Sequence, residues 1–243
     1  MEIKQATLET CGAATDAVVV IDVIRAFTTA AHAFAAGARD VVLVGTVEEA
    51  LALRENMPFD RACPERSRRA HGTPGALVMG EDGGLPVEGF DLGNSPAALL
   101  GLDLSGRRLI QRTSQGTQGV VRSAQAKTLL TASFAVANAT ARYLRRLSPA
   151  TVTFVTTGVI PGGDGDEDVA CADYIAALLR DERPDAAPFL QRVRDSASGR
   201  GLVSAARPGA PPADLACCVA VDRFDFAMRV RRRDGLLVME AVP

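Results

Sequence analysis

The strongest constraint on the fold of this chain is a repeated alternation between short β-branched runs and amphipathic segments. Residues 17–23, AVVVIDV, have the composition of a strand that is buried on both faces. In the segment that follows, residues 25–37, Phe27, Ala30 and Phe34 recur at helical spacing. Strand-helix-strand units of this kind predict parallel strands joined by right-handed crossovers.

The same alternation continues into the C-terminal region. Further strands are predicted at residues 40–45, 75–79, 107–112, 127–132, 151–157 and 217–221. Helices are predicted at residues 47–56, 96–102, 118–126, 134–146, 167–182 and 188–197. The dipeptide Asp234-Gly235 separates two further apolar runs and indicates a β-hairpin. We therefore predict an α/β fold with three α/β/α layers, a mostly parallel (mixed) sheet and a C-terminal antiparallel hairpin at its edge.

Length and composition favour one globular domain that spans residues 1–243. Apolar residues make up 47% of the 243 residues, which is enough for a full core without disulfides. The 27 basic and 29 acidic residues give a net charge of −2, and Trp is absent, which argues against nucleic acid or an anionic membrane as a partner. Residues 1–12 show no signal pattern and no apolar run of about 18 residues occurs, so we expect a cytoplasmic protein without a membrane span.

Two segments interrupt the alternation and are interpreted as solvent-exposed insertions. One is basic, at residues 60–74, and the other is rich in Pro and Ala, at residues 204–214. The first contains Cys63 and Arg69 at the C-x5-R spacing of cysteine phosphatases. Neither a strand nor a helix pattern flanks it, so we interpret it as a solvated loop and not as a phosphate loop.

The other cysteines and the histidines are interpreted as structural residues. Adjacent Cys217 and Cys218 lie in a predicted buried strand, where cysteine behaves as a small apolar side chain. His32 lies in an Ala-rich helical segment and His71 lies in the basic insertion, so neither is given a catalytic role.

Polar and glycine-rich residues follow several of the predicted strands. Because ligands bind beyond the carboxyl ends of parallel strands, we expect these residues to form one site. Arg25 can bind phosphate in a bidentate manner, and hydroxyl donors come from Thr28, Thr29, Ser95, Thr113 and Thr117. Hard oxygen ligands suited to Mg²⁺ come from Asp22, Glu81, Asp91, Glu167 and Asp168. Together they predict a site for an oxyanion and a divalent cation.

Each of these residues also has a structural interpretation. Asp22 could cap a helix, and Arg25 could pair with Asp22. Ser95 and Thr117 are placed to cap the helices that follow them, and the acidic residues at 164–168 would favour a helix N-terminus in any protein. The residues alone leave both interpretations open.

Five segments of the chain resemble the 2-phosphosulfolactate phosphatase family. The longest and most specific is GEDGGLPVEGFDLGNSP, residues 80–96. The others, in chain order, are residues 18–30, 115–117, 165–179 and 214–228. The resemblance covers nearly the whole chain except the basic insertion. In the loop before residue 116 this chain has Gln where the family pattern has Asn.

The resemblance implies a Mg²⁺-dependent phosphatase that hydrolyses 2-phospho-3-sulfolactate, a small anionic phosphomonoester, in a step towards coenzyme M. It supports the residues named above and adds Asn94 and Gly116 to the substrate site. The expected catalytic residues are then Asp22, Arg25, Glu81 and Asp91. We expect water to attack phosphorus directly, with a carboxylate as general base. A phosphoenzyme through Asp22 is the alternative, although the D-x-D-x-T pattern of aspartyl-nucleophile phosphatases is absent at this position.

Three questions stay open at this point. The substrate could be a different small phosphorylated acid. The chain could also bind phosphate or sulfonate without turnover. A monomer and a homo-oligomer are both compatible with the sequence.

Overall fold

The computed structural model describes residues 1–56, 75–158, 165–204 and 208–243. The strands in these ranges are β1 (Glu2–Ala6), β2 (Ala17–Ile21), β3 (Asp40–Leu43), β4 (Leu77–Gly80), β5 (Arg108–Arg112), β6 (Thr128–Ala132), β7 (Thr151–Thr156), β8 (Ala227–Arg233) and β9 (Leu236–Val242). The α-helices are α1 (Ala26–Ala35), α2 (Val47–Asn56), α3 (Gly116–Arg122), α4 (Ala137–Leu147), α5 (Asp166–Leu179), α6 (Ala187–Asp195), α7 (Ala197–Ser204) and α8 (Ala213–Cys218).

All of these strands belong to one mixed sheet with the order β1-β7-β2-β6-β8-β9-β3-β5-β4. Strands β1, β7, β2 and β6 pair in parallel, and so do β3, β5 and β4. The predicted α/β class and antiparallel hairpin are confirmed, but the predicted edge position of the hairpin is wrong. Strands β8 and β9 lie in the middle of the sheet, because Met228, Val230 and Met239 are core residues that need neighbours on both sides.

The central hairpin gives the two parallel groups opposite directions. Three successive antiparallel pairings separate β6 from β3, so the carboxyl ends of the two groups would lie at opposite edges of a flat sheet. Helices α1 and α3 pack against strands of both groups. One core cluster joins Val20 of β2, Leu43 of β3 and Leu77 of β4 to Phe27 of α1 and Val120 of α3. Loops of both groups line one cavity, which is described below.

The outer face of the sheet carries the remaining layer of helices. Side chains of β2 alternate between the two faces, since Val18 and Val20 contact the inner cluster while Val19 and Ile21 contact α4 and α5. Each such buried side chain contributes roughly 1.5–3 kcal/mol of hydrophobic free energy. Helix α2 covers the outer face of the second group, around Val42. Inner helices, sheet and outer helices make up the three predicted layers.

The predicted strand at residues 217–221 is wrong, because Cys217 and Cys218 end helix α8. A short apolar run fits a helix and a strand equally well, and here Pro211-Pro212 leads directly into the first helical turn. Both thiols are free and buried, so the interpretation as core residues is confirmed. Burial raises the pKa of the Cys218 thiol well above its usual value.

Smaller differences concern the ends of elements. The predicted helix at 96–102 is only a 3₁₀ turn over Ala97–Leu99. It does not continue through Gly101, whose φ is +81°. Strand β1 was not predicted, because it is an edge strand of mostly polar residues. In the part of the chain that the structure describes, no helix is both long and apolar enough to cross a bilayer. The predicted basic insertion at 60–74 lies outside the described residues.

Candidate active site

A cavity of about 350 Å³ opens where the loops after β2, β4 and β5 meet. Four predicted site residues line it, namely Asp22, Arg25, Glu81 and Asn94. The facing wall is formed by α7 and by the segment that follows it, through Ser198, Gly201, Leu202 and Ala210. The sequence had not assigned this wall to the site.

Asp22 connects the cavity to the start of α1. Its Oδ1 accepts a hydrogen bond from the Ala26 amide at 2.9 Å, and its main-chain oxygen accepts one from the Phe27 amide at 3.1 Å. The loop after β5 packs directly on this carboxylate, because a Cβ at Gly116 would lie 2.8 Å from Asp22 Oδ2 and 2.7 Å from the Ala26 Cβ. Asp22 therefore both caps α1 and lines the cavity, so the two interpretations left open by the sequence hold together.

Three buried carboxylates, Asp22, Glu167 and Asp168, form what we call the acidic cluster. Asp168 is held by main-chain donors that lie just after two neighbouring strands. Its Oδ1 accepts from the Val23 amide and its Oδ2 from the Gly158 amide, both at 2.8 Å. The carboxylate thus joins the ends of β2 and β7 and fixes the first turn of α5 against them.

Within the described residues, no ion pair neutralises the negative charge of the acidic cluster. Burial raises the pKa of Asp22 to about 7, and the charges of Glu81 and Glu167 add to the rise. Burial, followed by the charges of Asp22 and Glu167, raises the pKa of Asp168 well above its usual value. Within the described ranges, Glu167 Oε2 is buried and has no hydrogen-bond partner. A buried carboxylate oxygen without a donor is costly unless a cation or a proton meets it.

The acidic cluster could hold a hard cation. Among the residues that the structure describes, no group of three or more His, Cys, Asp or Glu side chains is arranged to hold a metal ion by itself. Mg²⁺ does not need one, because it usually binds to one or two carboxylates and completes its shell with water and phosphate. The uncommitted Oε2 of Glu167 and the cavity-lining carboxylate of Asp22 fit this ligand set.

A second set of residues, Arg25, Ser95 and Asp214, forms what we call the arginine clamp. Arg25 Nη1 donates to Asp214 Oδ2 at 2.7 Å and to the Gly209 carbonyl at 2.6 Å. The other carboxylate oxygen, Asp214 Oδ1, accepts from Ser95 Oγ at 2.6 Å and from the Ala97 amide at 3.1 Å. The clamp ties the loops after β2 and β4 to the start of α8.

The arginine clamp corrects two predictions. Arg25 forms its ion pair with Asp214 and not with Asp22. The predicted insertion at 204–214 is not simply solvent-exposed, because Ala210 is buried and Asp214 has no exposed surface. Sequence reasoning missed Asp214, although the signal that singled out Asp22 was present there too. In both places a single carboxylate adjoins an apolar run.

Glu81 connects the loops after β4 and β5. Its Oε1 accepts from the Ser114 amide at 2.6 Å, while its Oε2 accepts from the Gly84 amide at 2.6 Å and from Ser114 Oγ at 3.0 Å. Strands β4 and β5 are in close contact just before this point, since a Cβ at Gly80 would lie 1.8 Å from the Arg112 carbonyl oxygen. Glu81 therefore braces the cavity wall, and its lone pairs are largely committed to protein donors.

Asp91 and Thr28 lie outside the cavity lining. Asp91 Oδ2 accepts a hydrogen bond from the Val78 amide at 2.8 Å and lies 3.6 Å from Arg54 Nη1. It therefore stabilises the isolated bridge between Met79 of β4 and Leu92. Thr28 Oγ1 donates to the Val23 carbonyl at 2.8 Å. The structure does not bring these two side chains together with Asp22 and Arg25 in the cavity.

The predicted hydroxyl donors are mostly engaged in local structure. Thr113 Oγ1 accepts from the Thr117 amide at 3.1 Å, so Thr113 and not Thr117 caps α3. Ser95 Oγ accepts from the Ala98 amide at 3.2 Å and thus caps only a 3₁₀ turn. Among the described residues, Thr29 Oγ1 and Asn94 Oδ1 are buried without a hydrogen-bond partner. Of these, Asn94 lines the cavity, and its Oδ1 is a hydrogen-bond acceptor.

Comparison with known proteins places the chain among phosphatases. A family model described as 2-phosphosulpholactate phosphatase matches residues 3–232. A Bacillus subtilis (strain 168) protein named "Probable 2-phosphosulfolactate phosphatase" is 30% identical over 225 residues, which cover 92% of this chain and 91% of the relative. A protein of the same name from Parasynechococcus marenigrum (strain WH8102) is 34% identical over 230 residues, which cover 87% and 88%. The chain therefore belongs to the 2-phosphosulpholactate phosphatase family, a family of phosphoric monoester hydrolases.

Proposed function

We propose that this protein hydrolyses 2-phospho-3-sulfolactate to 3-sulfolactate and inorganic phosphate, with Mg²⁺ as cofactor. Family membership over residues 3–232 is the observation that carries the proposal. The names of the relatives supply the substrate. A reaction of this type is a step towards coenzyme M, and that role is part of the proposal.

The cavity has the size and the donors that such a substrate needs. About 350 Å³ suits a three-carbon acid that carries a phosphate and a sulfonate. Arg25 provides a positive charge, and the side-chain amides of Asn94 and Gln115 provide neutral donors at the same wall. Neutral donors can bind a sulfonate or carboxylate without a second positive charge.

The acidic cluster explains why a cation is part of the proposal. Three carboxylates beside the cavity would repel a phosphate ester. Asp22 and Glu167 would hold Mg²⁺, which when bound neutralises phosphoryl oxygens and makes a water molecule more acidic. Asp168 keeps its main-chain donors and orients the turn that carries Glu167.

Side chains of the protein perform the remaining tasks. Arg25 binds the phosphoryl oxygens and stabilises the charge that develops on them as the ester bond breaks. Asp22, with a pKa raised to about 7 by burial, holds a proton below neutral pH and must release it before a cation binds. Cation affinity should therefore fall as pH decreases below about 7.

Phosphate release from a panel of esters tests the proposal. Purified protein is assayed with Mg²⁺ or with a chelator on 2-phospho-3-sulfolactate, 3-phosphoglycerate, phosphoglycolate and p-nitrophenyl phosphate. We expect the sulfolactate ester to have the highest kcat/KM, and the chelator to abolish turnover. A preference for another acid would replace the substrate, and no release from any ester would indicate a binding protein without turnover.

A further inference from the structure

We propose that Asp214 is a positioning residue that orients Arg25 for recognition of a phosphoryl group. The inference deepens the proposed function and rests on it for the identity of the ester. It assigns a role to a segment, residues 208–218, that lies outside the loops from which the sequence predicted the site. Its evidence is the hydrogen-bond arrangement of the arginine clamp.

Arg25 donates hydrogen bonds to the described part of the protein only through its Nη1. A guanidinium has five N–H groups, of which Nη1 carries two. Both are accounted for by Asp214 Oδ2 and by the Gly209 carbonyl. In the part of the chain that is described, Arg25 forms no other hydrogen bond with the protein, so Nε and Nη2 keep three hydrogens for a ligand. This edge of the guanidinium is the one that forms paired bonds to a phosphate.

Asp214 is itself held in place by hydrogen bonds to other residues. Its side chain has no exposed surface, and its other oxygen is held by Ser95 Oγ and the Ala97 amide. The carboxylate therefore cannot turn away from Arg25 without breaking three bonds. Residues 189 positions apart in the chain are thus fixed relative to each other at the wall of the cavity.

Asp214 could act on Arg25 in two ways, by fixing the direction of the guanidinium or by balancing its charge. If Asp214 only offset the charge of Arg25, its removal would strengthen the attraction between Arg25 and any anion. If Asp214 fixes the direction of the guanidinium, its removal weakens phosphate binding despite the added positive charge. The sign of the effect on phosphate affinity therefore distinguishes the two roles.

A double-mutant cycle with inorganic phosphate as the probe tests the inference. Phosphate dissociation constants are measured calorimetrically, with Mg²⁺ present, for the wild type, Asp214→Asn, Arg25→Met and the double variant. We expect Asp214→Asn to weaken phosphate binding about tenfold next to Arg25 and by less than about twofold in the Arg25→Met background. The kcat of ester hydrolysis should follow the same pattern.

Asp40→Asn is the matched control. Asp40 is also buried and paired with an arginine, with Arg108 Nε 2.7 Å from Oδ1 and Nη2 2.8 Å from Oδ2, but it lies at the start of β3 and does not line the cavity. We expect it to lower Tm and to leave phosphate affinity within about twofold. Circular dichroism checks folding, and Asp214→Glu replaces Asp214→Asn in the same cycle if the latter does not fold.

The results that would overturn the role of Asp214 differ from the result that would overturn the proposed function. Tighter phosphate binding in the Asp214 variant, an equal effect in the Arg25→Met background, or a wild type that does not bind phosphate would each overturn the inference. If the wild type binds phosphate but hydrolyses no ester, the proposed function fails and the phosphate cycle alone decides the role of Asp214.

Discussion

The acidic cluster and the arginine clamp lie beside the same cavity but handle buried charge in opposite ways. In the clamp, one arginine faces one carboxylate, and Asp214 forms hydrogen bonds through both of its oxygens. In the acidic cluster, Asp22 and Asp168 have raised pKa values and Glu167 Oε2 has no partner among the described residues. The Asp214 carboxylate is fully paired within the protein, whereas the carboxylates of the acidic cluster are paired only with a proton or a cation.

This difference indicates where the protein has given up stability for function. A carboxylate whose two oxygens both accept hydrogen bonds from the protein fixes geometry at little cost in stability. Uncompensated carboxylates destabilise the folded state at neutral pH, because ionised groups that repel each other are kept away from water. We therefore expect substitution of Asp22 or Glu167 to reduce activity and raise stability together. Substitutions elsewhere in the site should reduce activity without raising stability, or leave both unchanged or lower.

Replacement of Asp22 by Asn should have the largest effect. We expect kcat/KM to fall by about 10³-fold, because the variant loses a proposed ligand for the cation. In chelator, the same variant should melt roughly 5 °C higher than the wild type at pH 8, since each kcal/mol shifts Tm by roughly 2–4 °C in a chain of this size. Phosphate-release assays and thermal melts provide the two measurements.

The pH dependence of this effect has a defined sign. The folded-state pKa of Asp22 is raised from 3.8 to about 7, so protonation of Asp22 favours the folded state. That contribution is fully present below about pH 4 and is lost as pH rises through about 7. The stability gain of Asp22→Asn over the wild type should thus grow from pH 5 to pH 8, and a constant difference would argue against a titrating Asp22.

Glu167→Gln should have the next largest effect. Its Oε2 is the uncommitted oxygen of the cluster, so the variant should bind Mg²⁺ about 10–100-fold more weakly. The measurement is the rise of Tm with Mg²⁺ concentration, compared with that of the wild type. An unchanged Mg²⁺ response in a folded variant would remove Glu167 from the proposed ligand set.

Gly116→Ala tests the contact between the loop after β5 and the acidic cluster. The added Cβ would lie 2.8 Å from Asp22 Oδ2, so we expect kcat/KM to fall about tenfold as the carboxylate is displaced. Gly201→Ala is the control, because this glycine lines the cavity but a Cβ there meets nothing within 4 Å. Equal activity losses in both variants would contradict the specific role of Gly116.

Asp91→Asn should have the smallest effect on activity. Asp91 lies in neither the acidic cluster nor the arginine clamp and accepts a bond from the Val78 amide. We expect kcat/KM within about twofold of the wild type and a stability loss of about 1 kcal/mol. A large loss of activity in a folded variant would return Asp91 to the site predicted from the sequence.

Local patterns predicted the parts of this protein that depend on near neighbours in the chain. The β-branched run at 17–23 predicted β2, and Thr46 caps α2 as its position suggests, with its Oγ1 3.1 Å from the Glu49 amide. A charged residue at the end of an apolar strand drew attention to Asp22. These features follow from side-chain periodicity and capping, which act over a few residues.

Predictions were less accurate where a residue depends on distant partners. Asp22, Glu81 and Asp91 are equally plausible cation ligands in the sequence, but Glu81 accepts from Ser114 and Gly84, and Asp91 accepts from Val78. Only the pairing of distant segments decides which carboxylate keeps free lone pairs. No local pattern contains that information.

The sequence by itself determined the class of fold, the order of most strands and helices, and the family-like motifs that supply Asp22, Arg25 and Asn94. The tertiary structure alone decided that the β8-β9 hairpin lies in the middle of the sheet and that α1 and α3 pack against strands of both parallel groups. It also decided that Asp214 joins Arg25. Strand pairing and buried ion pairs depend on segments that are far apart in the chain, and their contacts exist only once the core has formed.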